Sequence, residues 1–424
     1  MLRKYKFLLV VMVWVLGLCS SSFGAKETVL VWESDSPERR AALVSSIADF
    51  EHLNPDIKVD LRTVSFGNNF EKIMIAIAAK DVPDTTTVWG GLVAQFAEMG
   101  GLEPLDEWGA QEVKSKIYPV GWSYGQYKGK HWALPCAIDP RFIAYDMHMF
   151  EEAGIKKVPE TWEEFREAAM KTTNVAKGIY GFGMSIGTPI YSTWEFDSWM
   201  WLNEGDMLNE DMTECTVDSK EVIEAVEFLA NMAKDGYFLP VPATGDMTAR
   251  QLFVMGRLAM VSDGPWVSRQ IAINAPDRKF ERDWGIFPFP VPEVGMKKLN
   301  LATMGAYVMY KDHKASSQAV YKVIEAVSVS RANGINNFLC GKTSARVDTL
   351  DEYIIKWVFP EDEPNALREM QKLIVDSRTE VNNPLWGEIT EAFQLQFDEA
   401  LAGRISPAEA MKTATRDIDF ILSR

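Results

Sequence analysis

The spacing of apolar residues in this chain switches repeatedly between the period of a strand and that of a helix. Val29-Leu30-Val31-Trp32 is an unbroken apolar run, as in a buried strand, and Leu43, Ile47 and Phe50 follow at helical spacing until Asn54-Pro55 stops the helix. Ile57, Val59 and Leu61 alternate as a second strand. Phe70 to Ala79 reads as a helix ended near Pro83, Thr85 to Trp89 as a third strand, and Leu92 to Met99 as a helix closed by Gly100-Gly101. This order is βαβαβ and predicts a mostly parallel sheet flanked by helices.

The same alternation continues to the end of the chain. Thr161 with Glu164 three residues on is a capping box, Ser406-Pro407 opens a helix with proline in its first turn, and Val222, Val226, Leu229 and Ala233 form a stripe that ends at Gly236. Met255 to Val261 and Leu301 to Tyr310 read as further strands. The fold class is α/β, and 424 residues exceed what one core normally carries, so two lobes are expected.

The N-terminus sets the compartment. Arg3, Lys4 and Lys6 precede the apolar run Phe7 to Leu18, and Ser22-Phe23-Gly24 offers small residues for cleavage, so 1–24 reads as a signal peptide. The run is shorter than the roughly 20 residues that cross a bilayer. Cys19 follows Leu18, bulkier than lipoprotein processing accepts, so an exported, unlipidated chain is expected. The formal charge is −16, and the signal segment carries three positive charges and no acid, so the mature chain stands at −19. That acidity disfavours nucleic acid and polyanionic partners. Cys136, Cys215 and Cys340 are too few for a disulfide framework and read as small buried hydrophobes. His52, His131, His148 and His313 show no metal-ligand spacing, and Glu361-Asp362-Glu363 reads as a solvated loop; no metal or cofactor is expected.

Candidate chemistry sits where strands end, because ligands of open parallel sheets lie beyond the carboxyl ends of the strands. Trp32 is followed there by Glu33 and Asp35, Trp89 by Gly90-Gly91, and Trp266 closes Asp263-Gly264-Pro265-Trp266. Indole faces pack against the C–H patches of sugar rings while carboxylates take hydroxyl hydrogens. Trp194, Trp199 and Trp201 form a second group, although their spacing suits burial equally. No cluster of Arg or Lys is visible near these loops.

These residues resemble the extracellular solute-binding proteins of carbohydrate ABC importers, the family of maltose-binding protein. The markers occur in order through nearly the whole mature chain: "FEHLNPDIKV" from Phe50, Pro83-Asp84, "GGLEPLDEW" from Gly100, "GKHWALP" from Gly129, "MFEEAGIKKVPETWEEF" from Met149, "LFVMGRLAMVSDGPW" from Leu252 and "GKTSAR" from Gly341. The resemblance implies two α/β lobes with a cleft between them, the N-terminal lobe formed by 25–136 with 291–343 and the C-terminal lobe by 137–290 with 344–424. Crossings between lobes fall near Pro135 to Arg141, Phe287 to Pro292 and Gly341 to Val347. It implies a monomeric receptor that closes on a mono- or oligosaccharide or polyol and delivers it to ABC permease subunits, with no chemistry on the solute. Carried over by position, the ligand-binding residues are Glu33, Asp35, Trp89, Asp139, Trp194, Trp199, Asp263, Trp266, Gly305 and Trp386. Leu92 and Val93 stand where the maltose binder has an acid and an arginine, so the sugar's identity does not carry over.

Two enzyme readings compete. Gly183-Met184-Ser185-Ile186-Gly187 matches the nucleophile elbow GxSxG, but Thr188-Pro189 resists a helix starting at the serine, and a Gly-rich loop is expected instead. A secreted glycoside hydrolase would use the same aromatic cleft with two of Asp35, Asp139 and Asp263 across the scissile bond. An amine or peptide ligand would want more carboxylates inside the cleft.

Overall fold

The computed structural model describes residues 26–33, 37–64, 69–89, 91–244, 247–349 and 364–424. The expected signal segment 1–24, Asp35 and the acidic run Glu361–Glu363 lie outside them.

In chain order the strands are β1 (Glu27–Glu33), β2 (Ile57–Thr63), β3 (Thr85–Val88), β4 (Leu102–Glu103), β5 (Gln126–Tyr127), β6 (Lys130–His131), β7 (Ala133–Pro140), β8 (Phe142–Asp146), β9 (Tyr180–Ile186), β10 (Phe238–Pro242), β11 (Leu258–Asp263), β12 (Trp284–Phe287), β13 (Asn300–Tyr310) and β14 (Ser377–Arg378). They form two main sheets. The first has the order β14-β13-β3-β1-β2, with β4 and β7 also on β13; the second has the order β10-β9-β11-β8-β12. The opening βαβαβ is present, with β1 parallel to both β2 and β3. Both sheets also contain antiparallel pairs, because β7 and β13 run opposite each other in the first and β8 runs against β11 and β12 in the second.

Apolar side chains cover both faces of each sheet, which is why β11 and β13 are buried along their whole length and read as continuous apolar runs rather than alternating ones. β7 remains paired with β13 as far as Pro140, and after Arg141 alone the chain enters the second sheet as β8. Arg141 N donates to Leu301 O at 2.7 Å, which fixes this crossing against the start of β13.

Three local readings change. The strand expected at Met255 to Val261 begins only at Leu258, because Ala249–Val254 is a helix closed by a turn at Gly256, whose φ is 70°. The GxSxG segment is strand β9 as far as Ile186 rather than a loop, with only Gly187 beyond it; Gly183 lies so close to the Leu258 side chain of β11 that a Cβ would meet it at 2.5 Å. The next helix is capped by Thr188 and starts at Pro189, so Ser185 does not sit on a strand-to-helix elbow. Cys136, Cys215 and Cys340 are buried and unbridged. The capping boxes and proline starts form as read, with Thr161 and Glu164 capping reciprocally and Ser406 capping the helix Pro407–Leu422.

Candidate functional site

The crossing brings the edges of both sheets together. On the first, Trp89 follows β3 and its indole lies over β13 at Gly305, where a Cβ would stand 2.5 Å from the ring carbon Cη2. Gly305 is thus the clearance that lets the ring lie flat on the strand. Replacing Gly305 with valine is expected to tip Trp89 off the strand, reduce stability by about 1–2 kcal/mol and weaken solute affinity several-fold; chemical denaturation and calorimetric titration check both parts. Asp139 faces Thr303 in the β7–β13 register, accepts from Thr343 N at 3.0 Å and lies 3.5 Å from Lys342 Nζ.

On the second sheet, Asp263 ends β11 opposite Phe142, next to the crossing residue Arg141. Four protein donors converge on its carboxylate: Arg250 Nε and Nη2, each at 2.7 Å, Gly264 N at 2.8 Å, and Trp266 Nε1. Arg141 Nη1 donates to Glu195 at 2.9 Å, and Ser262 Oγ takes the other Glu195 oxygen. A hollow of about 30 Å³, the size of one water, opens beside Glu195, Arg250 and Asp263.

Trp266 is the meeting point. The guanidinium centres of Arg141 and Arg250 lie 5.0 and 5.2 Å from its ring centroid, and Lys342 Nζ lies 5.6 Å from it and 4.4 Å from that of Trp89. Lys342 therefore sits between indoles contributed by the two sheets. The expectation that no Arg or Lys cluster lies near the cleft loops is wrong: Arg141, Arg250 and Lys342 come from three distant segments and meet only in the fold.

The second aromatic group divides. Trp194 lies 5.5 Å from the Arg141 guanidinium and gives its Nε1 hydrogen to Glu380. Trp199 is fully buried among Phe165, Phe289 and Phe228 at 5.3, 5.4 and 5.6 Å and touches no cleft group, because residues five apart on one helix point about 140° apart. Trp386 is buried over the turn after Trp89, its Cδ1 2.6 Å from where a Gly91 Cβ would stand; Gly91 has φ 74°. Glu33 is also turned away from solvent, held by Thr87 Oγ1 at 3.0 Å and by the Tyr307 hydroxyl inside the first sheet. Trp32 packs beside it in the core around Val88 and Phe96.

Burial shifts the acids. The Glu195 carboxyl is pushed up to about 7 by burial, opposed by Arg141 and Ser262; Glu380 is pushed up to about 7 by burial, opposed by Trp194 and Arg141. Asp197 is raised well above the usual range by burial and by Glu380 and Asp206 nearby. A carboxyl whose native pKa is raised contributes stability that is fully present below its unfolded value near 4.5 and is lost as pH rises through about 7. The chain is therefore expected to unfold at a lower temperature at about pH 8.5 than at about pH 5.5, and Glu380→Gln, which still accepts from Trp194, flattens that slope. An unchanged slope in the variant would remove Glu380 as its source.

Asp263 has its oxygens filled by four donors and Asp139 is held by Thr343 and Lys342, so neither is poised as an acid or nucleophile. Among the described residues no group of three or more His, Cys, Asp or Glu could hold a metal.

A family model described as bacterial extracellular solute-binding protein matches residues 34–328. A Brucella abortus (strain 2308) protein that carries a binding-protein name is 26% identical over 434 residues, with all of both chains covered. Among solved structures, an ABC substrate-binding protein from Listeria monocytogenes in complex with cycloalternan superposes with a TM-score of 0.81 at 22% identity, covering 94% of this chain and 99% of that one. A Thermotoga lettingae ABC transporter solute-binding protein bound with α-D-tagatose gives a TM-score of 0.79 at 25% identity, covering 94% and 100%.

Proposed function

This chain belongs to the bacterial extracellular solute-binding proteins, and from that membership we propose that it captures a carbohydrate between its two sheets and passes it unaltered to an ABC permease. The observation that carries the reading is the convergence of Trp89 and Trp266, one from the edge of each sheet, on either side of Lys342 at the crossing. Two indoles held by separate sheets can grip a sugar ring only when the sheets approach, so binding and closure are one event. The solute must favour the closed arrangement, or it shifts nothing.

In this reading the lobes are 25–136 with 291–343 and 137–290 with 344–424, hinged where β7 runs into β8. The working site comprises Trp89, Asp139, Trp194, Asp263, Trp266, Gly305 and Trp386, together with Arg141, Glu195, Arg250 and Lys342. Glu33 and Trp199 support it from the cores. The protein acts outside the cytoplasm as a monomer; among the described residues no helix is long and apolar enough to cross a membrane. The cycloalternan and the α-D-tagatose bound by the Listeria and Thermotoga proteins support a sugar as solute.

Titration calorimetry of the mature protein against mono- and oligosaccharides, with chromatography of the same mixtures, tests the proposal. Saturable binding without conversion is the expected result; cleaved product would overturn it in favour of a hydrolase.

A further inference from the structure

Arg141 is 1% exposed yet commits only one guanidinium nitrogen to a protein acceptor: Nη1 donates to Glu195, whereas Nε and Nη2 meet no acceptor. These two nitrogens form one side of the guanidinium fork, whose parallel N–H bonds match the two oxygens of a carboxylate. The same molecule shows how that side is filled, since Arg250 places its own Nε and Nη2 on the two oxygens of Asp263 at 2.7 Å each. Of the acceptors around it, Asp263 is filled by Arg250, Gly264 and Trp266 and the second Glu195 oxygen by Ser262, while Glu380 takes the Trp194 hydrogen on Oε1 and burial holds its carboxyl toward the neutral form, a poor partner for a second guanidinium bond. Buried N–H groups are rarely left without a partner, so the open fork marks what the closed cleft lacks.

We propose that the free side of Arg141, flanked by Trp194 and Trp266, receives a carboxylate of the solute, and that the preferred solute is an acidic sugar, a uronate or a uronate-ended oligosaccharide. This rests on the carbohydrate reading above. A neutral hydroxyl offers one oxygen to a fork that presents two donors, whereas a carboxylate fills both and brings the opposite charge.

Charge balance favours one negative charge over two. Arg141 with Glu195, Arg250 with Asp263 and Lys342 with Asp139 are matched one to one, so an incoming carboxylate needs one proton to offset it. Glu195 takes that proton: it is pushed up to about 7 and is faced by Arg141, Ser262, Asp263 and Arg250. A phosphate dianion would need a second. Glu380 Oε2 and both Asp197 oxygens also lack hydrogen-bond partners, but burial holds these carboxyls toward their neutral forms, which suits them poorly to a cationic solute.

Calorimetry with galacturonate, glucuronate and digalacturonate, set against galactose, glucose, galactosamine and galactose 6-phosphate, tests this on the unaltered protein. A uronate is expected to bind about tenfold or more tighter than its neutral parent, with the preference growing as pH falls from about 8 to about 6. In Arg141→Gln, with folding verified by circular dichroism, the ratio of uronate to neutral-sugar affinity is expected to fall to about one whatever the change in overall affinity, and a ratio kept at the wild-type value would overturn the assignment to Arg141. Neutral parents binding as tightly as uronates, or a preference for the amino sugar or the phosphate, would overturn the acidic-sugar assignment and leave the receptor standing. No binding by any sugar would overturn both.

Discussion

Replacing Asp263 with alanine is expected to lower the unfolding free energy by about 2–4 kcal/mol and to abolish tight solute binding together with it. Removing one partner of a buried pair typically costs about 3–5 kcal/mol because the surviving charge is stranded. Arg250 is 28% exposed and can partly rehydrate, which moves the expected loss down to about 2–4 kcal/mol, around and below the lower end of that range. The damage spreads beyond the pair, since Asp263 also holds Gly264 N and the Trp266 indole hydrogen and so sets the turn that aims Trp266 at the crossing. Asp263→Asn keeps one acceptor and loses the charge, so it should fall between wild type and alanine. Urea unfolding of the three proteins checks the order; a native-like midpoint for the alanine variant would mean the pair contributes nothing to holding the turn.

The alternation of strands and helices was legible because it is a local property: each buried run, stop signal and cap lies within a dozen residues of sequence. The placement of Trp89 and Trp266 just beyond strand ends was legible for a related reason. Glu33 was not, because the residue that turns its carboxylate inward is Tyr307, 274 positions away. The burial of Trp199 had an angular ground that the sequence did contain, since a residue five positions from Trp194 on the same helix points elsewhere. The cationic half of the site was invisible for a different reason. Arg141, Arg250 and Lys342 carry no common spacing, and Arg250 falls in the first turn of a capped helix, where an arginine looks like surface. Only the folding of β8 against β11 puts Arg141 beside Asp263, and only the return of the chain at 342 brings the lysine between the two indoles. The one available signal for Arg141 was its position as the last residue of the expected crossing, where a long charged side chain must lie between two cores.

Trp266→Ala is expected to weaken solute binding by about 30-fold while leaving the unfolding free energy from urea titration within about 1 kcal/mol of wild type. A sugar ring covering some 80 Å² of indole would gain roughly 2 kcal/mol at about 25 cal/mol per Å², which corresponds to about 30-fold in affinity. Stability changes little because Trp266 is only half-buried and opens its helix at the lobe edge instead of filling a core. The variant also separates two roles of the ring. It removes the surface offered to a solute, and it removes the π face beside Arg141, Arg250 and Lys342, whose mutual repulsion is eased by their carboxylate partners and by that ring. If the second role dominated, the loss would appear as reduced stability that recovers at high salt, with affinity little changed. If the first dominates, as the placement at the meeting of the two sheets implies, affinity falls at every salt concentration and Trp266→Phe restores most of it.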